Sequence, residues 1–376
     1  MHINARFDSG NIECVACEQP DDIRLRIRKD AGDEHMQWFF FQLLDATGKD
    51  CVLKIENGNE VSYPDGFENY QACASYDREH WFRVPSEFDG KTLSIHHTPD
   101  QAMVWYAYFA PYTLERHHAL ISDAMDSPLV SGETLCITPD GHPLTLLTVD
   151  NGSNDKSRKI IWVTCRQHPG ESMAEWWAEG FLDRLLDPSD PVARALLDRA
   201  VVYIVPNMNP DGSVRGHLRC NAHGKNLNRH WHEPSAELTP EVYYAKQKMA
   251  ETGMDLALDV HGDEGLPYNF IAGAEGIPSW NEHKAKQLAT YLDALKTASP
   301  DFQTKHGYPA SEPGQANLSM CTANLAETFD CLAMTLEMPF KDNADAPLPE
   351  VGWSAERSRK LGAANLDAML HSLHLL

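Results

Sequence analysis

Alternating apolar and polar residues in the N-terminal part of the chain predict short β-strands. Ile23, Leu25 and Ile27 alternate with three arginines, which is the pattern of a strand with one buried face. Further strand-like runs, separated by Gly, Asp, Asn and Pro, cover residues 36–44, 51–55, 69–76, 81–84, 92–96 and 103–110. About seven short strands at this spacing predict an antiparallel β-sandwich domain over residues 1–112.

The pattern changes at about residue 113, where longer apolar runs alternate with helical periodicity. Four apolar runs predict buried strands at residues 160–165, 201–205, 254–260 and 332–338. Helices are predicted at residues 172–186, from Thr239-Pro240, from a capping box at Ser279, and from about Ser354 towards the C-terminus. Strands that alternate with helices predict an α/β domain with a largely parallel or mixed sheet over residues 113–376.

Composition excludes several classes of function. A net charge of −23 argues against nucleic-acid binding, which needs clustered Lys and Arg to contact phosphates. The chain has no run of eighteen apolar residues and no secretory signal at its N-terminus, so we expect neither a membrane span nor export. Nine cysteines, an odd number and mostly scattered singly, indicate reduced thiols and a cytoplasmic protein.

Polar residues at the ends of the predicted strands are candidates for chemistry. His168 and Glu171 follow one apolar run, His261 follows another, and Glu337 lies within a third. Because sites in α/β sheets form at the carboxyl ends of strands, we expect these residues to lie close together. Two His and a carboxylate suit a zinc ion with one position open for water, and a further carboxylate can act as general base. The His-x-x-Glu spacing alone also fits a turn histidine followed by an acidic helix N-terminus.

Several ordered motifs stand out along the chain: HPGE at 168–171, NMNPDG at 207–212, LRC at 218–220, NLNRHW at 226–231, DVHGDE at 259–264 and TLEMPF at 335–340. Together they resemble the zinc metallocarboxypeptidases, and more narrowly the cytosolic carboxypeptidase branch. That branch has an N-terminal β-sandwich ahead of a catalytic α/β domain, and the resemblance extends from about residue 5 to about residue 345. The resemblance therefore implies that the sandwich is followed along the chain by a metallocarboxypeptidase-like fold, with a mixed sheet flanked by helices.

The resemblance also implies roles for individual residues. His168, Glu171 and His261 match the family's ligands for one zinc ion, and Glu337 matches its general base. Three further residues match the family's substrate contacts: Arg219 for the oxyanion, and Asn228 and Arg229 for the free C-terminal carboxylate. Tyr308 is the nearest candidate by position for the family's mobile tyrosine. Arg is the side chain suited to a bidentate grip on a carboxylate, although an isolated Arg would usually be a surface charge.

Two positions depart from relatives or leave alternatives open. Family members that trim acidic tails tend to carry an Arg where Asn324 stands here, which, with the net charge of −23, argues against polyglutamate as substrate. Asp263, two residues after His261, is either a group that orients that ligand or a solvated turn carboxylate.

The leading hypothesis is a cytoplasmic zinc metallocarboxypeptidase that hydrolyses the C-terminal peptide bond of peptides or proteins, with Glu337 acting on zinc-activated water. One alternative is a zinc amidohydrolase of N-acyl amino acids, because that product also has a carboxylate for Arg229. Another is a non-catalytic module that binds peptide ends. The expected partner is a peptide or protein C-terminus, with no nucleic acid and no membrane.

Overall fold

The computed structural model describes all 376 residues, and the first part of the chain forms two five-stranded sheets. Their strands are β1 His2–Asn4, β2 Glu13–Ala16, β3 Ile23–Arg26, β4 Phe40–Leu44, β5 Cys51–Ile55, β6 Ala72–Ser75, β7 Phe82–Val84, β8 Ser86–Phe88, β9 Leu93–His97 and β10 Met103–Ala107. One sheet has the order β1-β4-β10-β6-β7 and the other β2-β3-β5-β9-β8. Every pair is antiparallel except β3 with β5. The predicted sandwich is confirmed, with ten strands instead of about seven.

Burial follows the predicted alternation in the sandwich. Ile23 and Leu25 of β3 are fully buried, whereas Arg24 between them is exposed. The aromatic run at 38–41 is buried throughout because β4 lies inside its sheet and both of its faces are covered. The strand begins only at Phe40, so the predicted strand at 36–44 was too long at its start.

A seven-stranded mixed sheet forms the centre of the second part. Its strands are β11 Val130–Ile137, β12 Pro143–Val149, β13 Lys159–Cys165, β14 Ala200–Val205, β15 Leu256–Asp263, β16 Phe270–Ala272 and β17 Leu332–Pro339, in the order β11-β12-β14-β13-β15-β17-β16. The four predicted strands are β13, β14, β15 and β17, which form the parallel core of the sheet. The hairpin β11–β12 was not predicted, because β11 is an exposed edge strand without an apolar pattern.

Eight helices accompany this sheet. They are α1 Leu114–Met125, α2 Met173–Leu185, α3 Pro191–Leu197, α4 Pro210–Arg215, α5 Pro240–Thr252, α6 Glu282–Ala298, α7 Cys321–Phe329 and α8 Ala355–Ser372. Ser354 caps α8 as predicted, but the predicted cap of α6 at Ser279 is wrong. The Asn281 side chain accepts from Lys284 N instead, so that helix begins at Glu282. None of the helices combines the length and apolar character that a membrane span needs.

Two glycines allow α2 and α8 to pack with their backbones in contact. A Cβ atom at Gly180 would lie 2.1 Å from the carbonyl oxygen of Arg359, and one at Gly362 would lie 2.1 Å from that of Trp177. Both contacts are to backbone, which cannot move without separating the helices. Because α2 begins at Met173, two residues after Glu171, this packing holds the loop that carries His168 and Glu171.

We predict that Gly180→Ala destabilises the protein. In an ordinary helix this change would stabilise by up to about 1 kcal/mol. Here the added methyl group meets the Arg359 carbonyl, and we expect a loss of about 2 kcal/mol or more in the free energy of unfolding. Urea unfolding of the two proteins measures the difference, and an unchanged or increased stability of the variant would contradict the packing described.

Candidate active site

The carboxyl ends of three adjacent parallel strands bring the candidate residues together. In the register of the sheet, Cys165 at the end of β13 lies beside Val260 of β15, and His261 lies beside Glu337 of β17. His168 and Glu171 lie on the loop that leaves β13 and enters α2. Residues far apart in the sequence therefore meet at one edge of the sheet, as the strand pattern predicted.

His168, Glu171 and His261 form a compact buried cluster. Glu171 places Oε1 2.7 Å from His168 Nδ1 and Oε2 2.8 Å from His261 Nδ1, and the two Nδ1 atoms are 3.1 Å apart. One ligand atom from each residue lies within 4.8 Å of the others, and all three side chains are buried. The geometry is that of a group that could hold a metal ion.

The outer nitrogens of both imidazoles have their own acceptors. His168 Nε2 lies 3.1 Å from Asn226 Oδ1, and His261 Nε2 lies 2.8 Å from Asp259 Oδ2. Donation of Nε2–H to these oxygens leaves the Nδ1 lone pairs facing each other and the Glu171 carboxylate. Three electron-rich groups at this distance repel unless a cation lies between them. The donor set of two nitrogens and a carboxylate suits zinc.

Asp259 is the carboxylate that orients His261, and of the two interpretations left open for Asp263 the structure agrees with the turn carboxylate. Asp259 also accepts from Gln167 Nε2 at 2.6 Å and from Thr164 Oγ1 at 2.8 Å. Burial raises the pKa of Asp259, but His261 and these donors outweigh it and hold the pKa below its usual value. The carboxylate of Asp263 accepts instead from Gly265 N and the Tyr308 hydroxyl, because the strand ends there in a turn.

Asp259 was not predicted as a site residue, although the sequence contains a clue to its role. It is the only acidic residue inside the predicted strand at 254–260 apart from Asp255 at its start, and it lies two residues before His261, on the same face of the strand. Asn226 offered no such clue, because its contact with His168 depends on the course of an irregular segment.

Glu337 presents an unpartnered carboxylate beside the cluster. It is 7% exposed, its Oε2 has no hydrogen-bond partner, and its Oε1 lies 3.5 Å from the Tyr308 hydroxyl. Burial raises the pKa of Glu337 well above its usual range, and the nearby carboxylate of Glu171 raises it further. A free carboxyl oxygen with raised basicity is suited to accept a proton.

Arg219, Asn228 and Arg229 line the same cleft, which has a volume of about 660 Å³. Neither guanidinium forms a salt bridge with a carboxylate of the protein. Asn228 accepts from Cys321 N through Oδ1 at 2.8 Å, so its amide hydrogens stay available. These donors can bind an anionic ligand.

Tyr308 lies at the rim of this cleft. The side chain packs edge-on against Phe270 at 4.9 Å between ring centroids, and the residue remains 49% exposed. Asn324, by contrast, is buried in α7 and donates to the carbonyl of Leu318 at 2.9 Å. It brings no positive charge to the site.

The N-terminal sandwich also reaches the cleft. Residues 62–66, between β5 and β6, line the wall next to Arg219. The Tyr63 ring centroid lies 5.6 Å from Arg219 Cζ, within reach of a cation–π contact. No local pattern identifies such a contact, because it depends on how the two parts of the chain dock.

Comparison with known families assigns the class of protein. A profile described as the cytosolic carboxypeptidase N-terminal domain matches residues 3–109, and one described as zinc carboxypeptidase matches residues 122–343. The second match covers more than half of the chain. The chain belongs to the zinc carboxypeptidase family, which makes it a metallocarboxypeptidase and confirms the resemblance found in its motifs.

Individual relatives agree with this assignment. Human cytosolic carboxypeptidase 2 is 30% identical over 303 residues, which are 72% of this chain but 33% of the human protein. This chain thus spans about a third of that relative. A metallo-carboxypeptidase structure from Burkholderia cenocepacia is 49% identical with a TM-score of 0.97, covering 99% of each chain. A metallo-carboxypeptidase from Pseudomonas aeruginosa, in complex with (2-guanidinoethylmercapto)succinic acid, is 43% identical with a TM-score of 0.95, covering 98% of each chain. These structures confirm the predicted fold.

We predict that Asp259→Asn weakens zinc binding. The change keeps the shape of the side chain but removes the charge that orients and polarises His261, and we expect the zinc dissociation constant to rise about tenfold or more. Competition with a chromogenic chelator measures it. Asp263→Asn is the matched control, since Asp263 contacts neither histidine, and equal affinities for wild type and Asp259→Asn would contradict the role of Asp259.

Proposed function

We propose that this metallocarboxypeptidase holds one zinc ion through His168, Glu171 and His261 and removes the C-terminal residue of peptides or proteins. One observation carries the proposal. Arg219 and Arg229 form no salt bridge, and they line the same cleft as the buried cluster of candidate metal ligands. In a chain of net charge −23, guanidinium groups left free of carboxylates are suited to an anion brought by the substrate.

Recognition of the chain end is assigned to Asn228 and Arg229. The free amide hydrogens of Asn228 and the exposed guanidinium of Arg229 are adjacent, and together they can hold both oxygens of a terminal carboxylate. The compound bound by the Pseudomonas aeruginosa relative contains a succinic acid group, by its name, so that relative takes a carboxylate ligand. An exopeptidase needs such a contact because the chain end distinguishes its substrate from an internal bond.

Proton transfer is assigned to Glu337. A zinc ion bound at the cluster would polarise the scissile carbonyl and lower the pKa of a water molecule to about 7. Glu337 Oε2 has no partner in the protein, so it is free to accept the proton of the attacking water and deliver it to the leaving amine. The raised pKa of Glu337 strengthens it as the base in the first half of this transfer.

Charge stabilisation is assigned to Arg219, with Tyr308 as a further contact with the substrate. Attack on the peptide carbonyl leaves a negative charge on its oxygen, and a guanidinium fixed in a buried site offsets that charge more than water would. Although burial lowers the pKa of Arg219, nearby Tyr63 and Glu264 raise it above its usual value, so it stays cationic. Tyr308, at the rim and half exposed, can close against bound substrate.

Three further features are part of this proposal. A non-acidic C-terminal residue fits the site better than glutamate, because Asn324 supplies no charge and the compound bound by the Pseudomonas aeruginosa relative carries a guanidino group. Domains of residues 1–112 and 113–376 are supported by family profiles that match on either side of that boundary. A cytoplasmic location is supported by relatives named cytosolic carboxypeptidases.

A free C-terminal carboxylate should be required for cleavage. We expect peptides with a free C-terminus to be cleaved at least about 100-fold faster than the same peptides as amides, because the amide leaves Arg229 without its anion. Arg229→Ala should lose this preference, whereas Arg215→Ala, which removes a guanidinium paired with Asp140 away from the cleft, should keep it. Mass spectrometry of the products measures both rates.

The same assay separates the alternative substrates. N-acyl amino acids tested at equal concentration should be poorer substrates than peptides. Faster release from the N-acyl amino acids, or equal cleavage of acid and amide peptides, would contradict a peptidase that recognises the chain end.

Glu337→Gln should strongly lower turnover and leave the metal site intact. We expect the rate of peptide hydrolysis to fall by about 10²–10⁴-fold, because the amide cannot accept the proton. Zinc content should stay equal to wild type, since Glu337 is outside the cluster. Asp65→Asn, a carboxylate on the rim of the same cleft, is the matched control. Comparable peptide release by the zinc-loaded wild type and Glu337→Gln would overturn the assignment.

A further inference from the structure

The segment that carries Arg219 is attached mainly to the N-terminal domain. Between residues 214 and 220, hydrogen bonds join it to residues 9–31 of the sandwich. They run from Ser9 N to Val214 O at 2.9 Å, from Asn11 Nδ2 to Gly216 O at 2.8 Å, and from Ala31 N to His217 Nε2 at 3.0 Å. The segment begins in the last residues of α4 and continues into the connection to α5, where residues 216–220 belong to no helix or strand. Its conformation therefore depends on a neighbour outside the catalytic sheet.

Asp30 makes the central contact with this segment. Its Oδ1 accepts from Leu218 N at 2.7 Å, and its Oδ2 accepts from Arg219 N and Cys220 N, both at 2.8 Å. Three successive backbone N–H groups thus converge on one carboxylate, which is only 3% exposed. Charge-assisted hydrogen bonds of this kind are about twice as strong as neutral ones, and here they fix the backbone on both sides of Arg219.

The same segment is joined to the loop of the metal cluster. Leu218 O accepts from Gly170 N at 2.9 Å, and Gly170 lies between His168 and Glu171 in the sequence. A Cβ at Gly170 would lie 3.0 Å from Leu218 O, so the two backbones approach closely. A continuous series of contacts therefore leads from the sandwich through Leu218 to the predicted metal ligands.

The Arg219 side chain has no hydrogen bond or salt bridge of its own to hold it. Its contact with the protein is the face of Tyr63, at 5.6 Å from Cζ to the ring centroid, and Tyr63 also belongs to the N-terminal domain. A group that offsets charge in a transition state is effective only if it is already in place, since reorientation during the reaction would cost the energy it supplies. Both the backbone and the side chain of Arg219 are placed by the first domain.

We propose that Asp30 is a positioning residue for catalysis, and that the N-terminal domain, through Asp30 and Tyr63, sets the place of Arg219 in the active site. The inference rests on the proposed role of Arg219. It gives the first domain a part in the chemistry beyond support of the fold. It also predicts that the effect of Asp30 on turnover is exerted through Arg219.

A double-mutant cycle on the zinc-loaded full chain tests this proposal. Asp30→Asn replaces one acceptor oxygen with an NH₂ group that faces backbone donors, so the contacts around Arg219 cannot all form. We expect kcat to fall roughly 10- to 100-fold with a smaller change in KM and unchanged zinc content, because the interaction acts in the transition state. Arg219→Ala alone should lower kcat about 10²–10³-fold. In the Arg219→Ala background, adding Asp30→Asn should lower kcat by less than about a further threefold, because the Arg219 side chain that Asp30 positions is absent.

The matched control is Asp8→Asn. The Asp8 carboxylate also joins the two parts of the chain, by accepting from Leu114 N at 2.7 Å, but it lies outside the cleft. We expect its kcat to stay close to wild type. Urea unfolding of each variant separates a loss of stability from a loss of turnover.

The outcomes distinguish the inference from the proposed function. Full turnover of Arg219→Ala would refute the role of Arg219 itself. A large effect of Arg219→Ala, with Asp30→Asn lowering kcat by the same factor in both backgrounds, would overturn only the positioning role. An equal loss in Asp8→Asn would do so too. Should Asp30→Asn fail to fold, the cycle is repeated with Tyr63→Leu, and Tyr63→Phe, which keeps the ring, should restore most of the activity.

Discussion

The parallel pairing of β13, β15 and β17 is the constraint on which the rest of the structure depends. Their register places His261 beside Glu337 and brings the loop of His168 and Glu171 to the same edge. A shift of one residue in any of these strands would turn the side chain concerned to the opposite face of the sheet. The buried strands, the tight packing of α2 on α8 and the outer hydrogen bonds of the two histidines all maintain this one arrangement.

The cleft holds groups of both charge signs within an acidic protein. The buried carboxylate of Glu171 suits a cation, and that of Glu337 suits a proton. Arg219 and Arg229 are free of salt bridges, so that Arg219 suits a developing oxyanion and Arg229 suits a carboxylate. Positive and negative groups thus lie in one cleft without neutralising each other. This separation requires rigid backbone, and part of that backbone is supplied by the N-terminal domain through Asp30.

Much of this organisation could be predicted from the sequence because it depends on local patterns. Apolar runs marked the four parallel strands, and the polar residues that follow them marked the cluster. The ordered motifs identified the family. Contacts between distant segments were missed, including those of Asp30 and Tyr63 with Arg219, because docking of the two parts of the chain leaves no periodic pattern in the sequence. Asp263 was considered in place of Asp259 because spacing to His261 alone cannot distinguish two carboxylates on the same strand.

Two imidazoles and one carboxylate, from His168, His261 and Glu171, are proposed to share a single metal ion. Anomalous diffraction from zinc-loaded crystals, measured on both sides of the zinc absorption edge, tests it most directly. We expect one strong peak bounded by Nδ1 of His168, Nδ1 of His261 and the carboxylate of Glu171. No peak at that place, or a peak held by other residues, would contradict it.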